Sequence, residues 1–270
     1  MKKLFSFIFV SSLVMSGVTF GENLDAEIRA IAENLKRNTV EANDFGATQR
    51  VATSRLTSEG EVSRVEEKTF RTQWSGDRPV NVLIGVRCTD YSGPIRNSRE
   101  CVEFTKAAAQ KSAKPGKFDS EIKKIRWLEL YKNFDFQMVS KEGAYQVLSF
   151  QPKLNQVDTQ NRLEKILTHM AGKVWVDSNF NIVKAEAHLV EPVGFGLGLA
   201  AKVNNIVIRY EQQQYKNVFL PSHLNLEFNA KVALLHTERQ RIDVSWRDPF
   251  RHSDGVYAQV EGSTSTESLK

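Results

Sequence analysis

Five histidines, two cysteines and a run of alternating glycines are the residues of this chain whose types and spacing bear on chemistry. His169, His188, His223, His236 and His252 lie far apart. No two of them keep the i, i+4 spacing that turns a pair of imidazoles toward one metal on a helix, so no metal site is assigned. In "KAEAHL" an extended chain puts His188 on the side of Lys184 and Glu186, and it is expected in solvent. Ser120-Glu121-Ile122-Lys123 satisfies the S-x-x-K pattern. Two fixed residues recur by chance in a chain of this length, and the companion S-D-N and K-T-G motifs are missing. Ser120 or Asp119 reads better as the cap of a helix. With no G-x-S-x-G elbow and no G-x-x-x-x-G-K-[ST] loop, the reading assigns no catalytic residue and no cofactor and takes the chain as not an enzyme.

The glycines of "GFGLGLA" lack the spacing and the β-α-β surroundings of a dinucleotide-binding turn. If extended, the segment sends Phe195, Leu197 and Leu199 to one side and bares the other. Gly194, Phe195, Gly196, Leu197 and Gly198 are then either a mobile cover over an apolar face or a plain loop whose leucines fill core. Cys88 and Cys101 bracket the turn-rich "TDYSGPIRNSRE". An isolated even pair reads as a disulfide in an oxidising compartment, worth about 3 kcal/mol for a loop of this size. Two free thiols are the competing reading, and a metal would lack companion ligands.

The compartment is read from the N-terminus. "MKKLFSFIFVSSLVMSGVTFG" has two lysines, an apolar run and small residues at Thr19 and Gly21, the layout of a secretory signal peptide over residues 1–21. The apolar run falls short of the roughly 20 residues of a membrane span. The expectation is a periplasmic, exported protein cleaved after about Gly21. The chain carries 37 Lys and Arg against 32 Asp and Glu, an excess of five that falls to three when Lys2 and Lys3 leave with the leader. So small an excess argues against a nucleic-acid partner, which calls for a clustered basic footprint.

These residues have to be positioned by a sheet. After the leader, Leu24, Ile28, Ile31 and Leu35 recur on one helical stripe. "FGATQRVATSRLT" and "VSRVEEKTFRTQW" read as a polar hairpin joined at "SEGE", and "VNVLIGVRC" as a third strand. Residues 99–133 are rich in Ala, Lys and Glu and read as a helical insertion divided at "KPGK". From Phe134 the period becomes two, most plainly in "LNLEFNAKVAL". Such alternation predicts an antiparallel sheet with one wet and one covered face. Phe136, Met138, Val174, Val176, Ala185, Ala187, Ile208, Leu226, Phe228, Val232 and Val244 are the residues expected on the covered face, where they either line a ligand site or are ordinary core. Trp175 points the other way, to the surface or to a helix. "TQNRLEKILTHM" predicts a helix crossing the covered face, and "EGSTSTESLK" has no apolar content to order it. The domain reading is one unit over residues 22–252 with a disordered tail at 253–270.

The segment from "GKVWVD" (172–177) through "IVKAE" (182–186) and the glycine-rich connector (194–198) to "VFLP" (218–221) resembles a LolA-like, outer-membrane lipoprotein-sorting-like group of exported bacterial proteins. The resemblance extends over residues 24–250. It implies an α+β fold, a curved antiparallel sheet forming an incomplete, half-open barrel with helices on its apolar concave face. It also implies a carrier or binding protein for lipid, lipoprotein acyl chains or another apolar ligand, a monomer with a membrane-protein partner. The alternative is a non-enzymatic envelope sensor or structural interaction module of the same fold.

Overall fold

In the computed structural model the described residues are 21–75, 78–91, 101, 133–153, 162–195, 201–232 and 236–251. The leader, the helical insertion and the tail therefore fall outside them, apart from Gly21, Cys101 and Asn133. Helix α1 (Gly21–Glu41) runs through a 3-10 turn (Ala42–Asp44) into strands β1 (Phe45–Leu56), β2 (Val62–Ser75) and β3 (Arg78–Asp90). Strands β4 (Phe134–Glu142) and β5 (Tyr145–Pro152) form a hairpin, followed by the short helix α2 (Arg162–Leu167). Then come β6 (Met170–Val176), β7 (Ile182–Leu189), β8 (Val193–Phe195), β9 (Ala201–Tyr215), β10 (Val218–Val232) and β11 (His236–Arg251).

All described ladders are antiparallel. The strand order is β3-β2-β1-β11-β10-β9-β7-β6-β5-β4, with β8 paired to β9. The sheet is not closed: among the described strands β3 and β4 are its two edges. Two residues that break local rules sit where the ladders allow them. Pro221, which lacks an N–H, stands at a register shift between β9 and β10, and Gly46, where a Cβ would lie 2.4 Å from the Phe250 ring, stands beside the shift between β1 and β11.

Helix α1 corrects the sequence reading of its buried stripe. Ile28 is buried and Ile31 half-buried as that stripe requires, but Leu35 is 38 % exposed. Its place is taken by Asn34 and Asn38, at 9 % and 8 %. The reason is the surface the helix meets. The Asn34 amide donates to the Asn179 carbonyl, and Asn38 Nδ2 donates to Asn181 Oδ1 at 3.4 Å, so the helix docks on the polar β6–β7 turn. Docking of this kind selects amides over leucine, because a buried polar backbone group must find a partner.

Apolar burial concentrates in two clusters. Met170, Leu189 and Val193 pack with Ile166 and Leu167 of α2 and with Phe195, Ile206 and Ile208. Phe45, Val218 and Leu220 pack with Ala42, Trp74 and Tyr215 where α1 enters the sheet. Fully enclosed aliphatics such as Val147, Val176 and Leu220 each contribute roughly 1.5–3 kcal/mol. Cys88 on β3 is bonded to Cys101, with Cα atoms 5.3 Å apart, as the paired-cysteine reading expected.

Candidate functional site

The covered-face residues are brought together by register. One rung runs Phe136–Phe150–Gly172–Ala187–Ile208–Leu226–Ile242 across β4, β5, β6, β7, β9, β10 and β11. The next runs Met138–Leu148–Val174–Ala185–Tyr210–Leu224–Val244 and continues to Val51. Phe228, opposite Ile206, stands two positions along β10 on the same side. Directly paired residues of an antiparallel ladder share a face, so nine of the expected residues line one surface. Val176 follows Val174 on β6 and is fully buried beside a register shift. Val232 lies in β10 opposite Ala201, outside the residues whose side chains are described.

The surface is not flat. Ala185 and Ala187 form a low strip along β7 that widens onto β6 at Gly172, with Val174 standing beside Ala185. Phe136, Phe150, Met138 and Leu148 stand on one side of it, and Ile206, Ile208, Tyr210, Leu226 and Phe228 on the other. Phe134 meets Phe136 and Phe150 edge-on and those two are tilted against each other, with centroids 5.4–6.4 Å apart. Most members of the two rungs are half-buried; Leu148 and Val244 are enclosed. Gly172 is required here, since a Cβ would fall 1.9 Å from the Glu186 carbonyl oxygen. Tyr210 is the one polar group of the rungs. Burial raises its phenol pKa above the ordinary value, and the bond from Gln212 Nε2 at 2.8 Å offsets part of that rise.

At one end α2 packs against the apolar cluster, and β8 extends the sheet beside β9. Val193, Gly194 and Phe195 pair with Val203, Lys202 and Ala201, and Phe195 packs on the Met170 cluster. The remaining residues of the cover reading, Gly196, Leu197 and Gly198, lie outside the described residues.

The opposite face is charged, in the order Lys173–Glu186–Arg209–Asn225–Asp243 across five strands. A groove of about 410 Å³ over β4 to β9 is lined by Gln137, Ser149, Lys173, Glu186, His188 and Arg209. His188 is exposed there, as expected from its strand. Trp175 is buried at 8 %, its Nε1 donating to Glu142 Oε2 at 2.8 Å with the Lys184 ammonium 4.4 Å from the ring. The cation covers the indole, so an aromatic on a wet face is held out of water.

Sequence reasoning missed one polar constellation. His223 Nε2 lies 3.1 Å from Asp243 Oδ2, and Ser245 is the ladder partner of His223. Asp243 also accepts from Asn225 Nδ2 at 3.3 Å. His223 and Asp243 are 20 residues apart in the chain, and only the β10–β11 register brings them together. It sits outside both described cavities, and no bond joins His223 to Ser245 among the described residues, so it lacks the nucleophile–base contact of a hydrolytic triad. Among the described residues no group of His, Cys, Asp and Glu is placed to hold a metal, and no helix is long and apolar enough to cross a membrane.

No family model and no curated protein matches this chain. Among solved structures, the tesB protein of Mycobacterium avium subspecies paratuberculosis aligns over 84 % of this chain and 87 % of its own, at 6 % identity and a TM-score of 0.16. A conserved hot dog fold protein of unknown function from Alicyclobacillus acidocaldarius aligns over 83 % and 87 %, at 9 % identity and the same TM-score. Similarity this low carries no argument about fold or activity.

Proposed function

We propose that this chain is a periplasmic, non-enzymatic binding or carrier protein that holds an apolar ligand, lipid or lipoprotein acyl chains, on the apolar face of a half-open, LolA-like sheet. The observation that carries the reading is the low strip of Gly172, Ala185 and Ala187 between two banks of larger apolar residues, most of them half-buried. A linear hydrocarbon laid in such a strip gains about 0.8 kcal/mol per buried methylene with no directed polar contact. The lack of polar partners on the two rungs, Tyr210 apart, suits a chain of methylenes better than a reacting group. The half-barrel closure, the export and the lid role of residues 194–198 belong to this proposal.

The test is native mass spectrometry of mature protein purified from the periplasm, with organic extraction and analysis of bound lipid. A copurifying acyl species, lost in a folded Leu226→Asp variant, is the expected result. Protein that is bare and also takes up no fluorescent fatty acid would refute the reading. A second reading, an interaction module of the same fold, rests on β3. Val80, Val82 and Ile84 on this edge strand are 51–59 % exposed, an apolar row that strand-pairing partners recognise.

A further inference from the structure

Two hairpin turns of this protein are built on one plan and differ at one decisive residue. In the β1–β2 turn Thr57 N donates to the Glu61 carbonyl, Gly60 N donates to the Thr57 carbonyl, and Thr57 Oγ1 accepts from Glu61 N. In the β6–β7 turn Asp177 N donates to the Asn181 carbonyl, Phe180 N donates to the Asp177 carbonyl, and Asp177 Oδ1 accepts from Asn181 N. The fourth residue is left-handed in both, Gly60 at φ 88° and Phe180 at φ 63°. Glycine adopts that conformation freely, whereas a bulky aromatic is a true outlier there. At the β1–β2 turn the chain uses glycine, while Lys216 and Asp248 are the other non-glycine residues with positive φ among the described residues. At the β6–β7 turn it keeps a phenyl ring against the backbone preference, which points to a role for the ring itself.

Phe180 borders a cavity of about 630 Å³ between α1 and the tips of the β6–β7 and β9–β10 hairpins, within the roughly 300–1,000 Å³ typical of small-molecule sites. Three carboxamides at its wall, those of Asn34, Asn38 and Asn181, are more than nine-tenths buried. They hold one another and the turn in place: Arg37 donates to Asn34 Oδ1 at 2.7 Å, Asn181 Nδ2 donates to Asp177 Oδ2 at 3.0 Å, and Asn38 makes its long bond to Asn181. Each carboxamide has two N–H donors and two acceptor lone pairs, so capacity remains for a ligand. Gln214 and Asn217 add two more amides, and Phe219 a second phenyl ring. Glu33, Glu41 and Asp177 set three carboxylates against the single guanidinium of Arg37.

We infer that this cavity is a binding site for an uncharged carbohydrate, with the Phe180 ring as its stacking platform. A sugar hydroxyl donates and accepts at once, and planar amide and carboxylate groups satisfy both roles. The apolar C–H face of a pyranose covers a phenyl ring and removes apolar area from water. The excess of carboxylates disfavours anionic sugars and phosphates. The site is separate from the apolar sheet face, so it stands or falls independently of acyl-chain binding.

Isothermal titration of the full chain with maltotriose and with N,N′,N″-triacetylchitotriose tests the assignment. At least one is expected to bind with a Kd of about 1 mM or tighter, and the anionic trigalacturonate at least about tenfold more weakly. Phe180→Gly, which removes the ring and suits the backbone, is expected to weaken binding at least about tenfold, with Phe180→Tyr retaining it. Glu33→Ala, at an exposed position that does not support the fold, is expected to weaken it about threefold or more. No heat with either neutral trisaccharide at about 5 mM would overturn the inference. So would affinity left intact in both a folded Phe180→Gly variant and Glu33→Ala, or equal affinity for trigalacturonate.

Discussion

Gly172 shows how closely one residue can be specified by its neighbours. Its missing Cβ lets β6 and β7 approach until the Glu186 carbonyl fills the space, and it also keeps the strip low on the apolar face. Gly172→Val therefore has to push two paired backbones apart. It is expected to cost more than about 3 kcal/mol, read as a fall in the urea midpoint, while Ala187→Val on the same strip is expected to cost less than about 2 kcal/mol. Tyr210 makes a prediction of opposite kind, in pH. Its phenol keeps its proton in the folded state at pH values where the unfolded chain loses it. The folded state then binds more protons, so this contribution is complete below about pH 10 and is lost as pH rises through the raised folded value. Tyr210→Phe is expected to lower stability by about 0.5–1.5 kcal/mol at pH 7, where the Gln212 bond is lost, and to make the decline above pH 10 shallower. Urea midpoints measured from pH 8 to pH 11 for both proteins check the sign.

At the scale of elements, the strands were legible because a two-residue period survives any register. "LNLEFNAKVAL" became a paired strand for that reason, "FGATQRVATSRLT" and "VSRVEEKTFRTQW", read as extended runs about the "SEGE" turn, pair as β1 and β2, and the helix expected in "TQNRLEKILTHM" forms over Arg162–Leu167. What stayed illegible was whatever depends on the surface an element meets. The α1 stripe was read as Leu24, Ile28, Ile31 and Leu35, yet the helix buries Asn34 and Asn38 because a polar turn, not a core, lies beneath its second half. The Trp175 indole was placed correctly on the far side of β6, but its cover by Lys184 and Glu142 comes from strands that only the register identifies. The disulfide was legible from two cysteines alone, and its energetic role follows from where it sits. It secures β3, which among the described strands has a sheet neighbour on one side only. Cys88→Ser with Cys101→Ser is expected to cost about 3 kcal/mol. Hydrogen exchange should show the loss first in β3 amides and not in β9 or β10, and the same pattern is expected when the wild-type protein is reduced.

For the molecule as a whole, the decisive element is the last strand. β1, β2 and β3 form one meander and β4 to β10 a second, and β11 is inserted between them, pairing with β1 on one side and β10 on the other. No local pattern could reveal this, since the rung Val51–Val244–Leu224 joins residues from distant parts of the chain. Such pairing is expected to form late, because loop closure over most of the chain has to precede it. It follows that the two meanders form a single sheet only while β11 holds both. Val244 is the test position, 6 % exposed and central to both ladders. Val244→Asp places a carboxylate among apolar neighbours and is expected to cost more than about 3 kcal/mol. If β11 is the joint, limited proteolysis of that variant should cut both meanders together and calorimetry should show one weakened transition. A protected fragment spanning β4 to β10 would mean instead that the second meander folds without β11, and that the apolar face and its strip are complete before the sheet is joined.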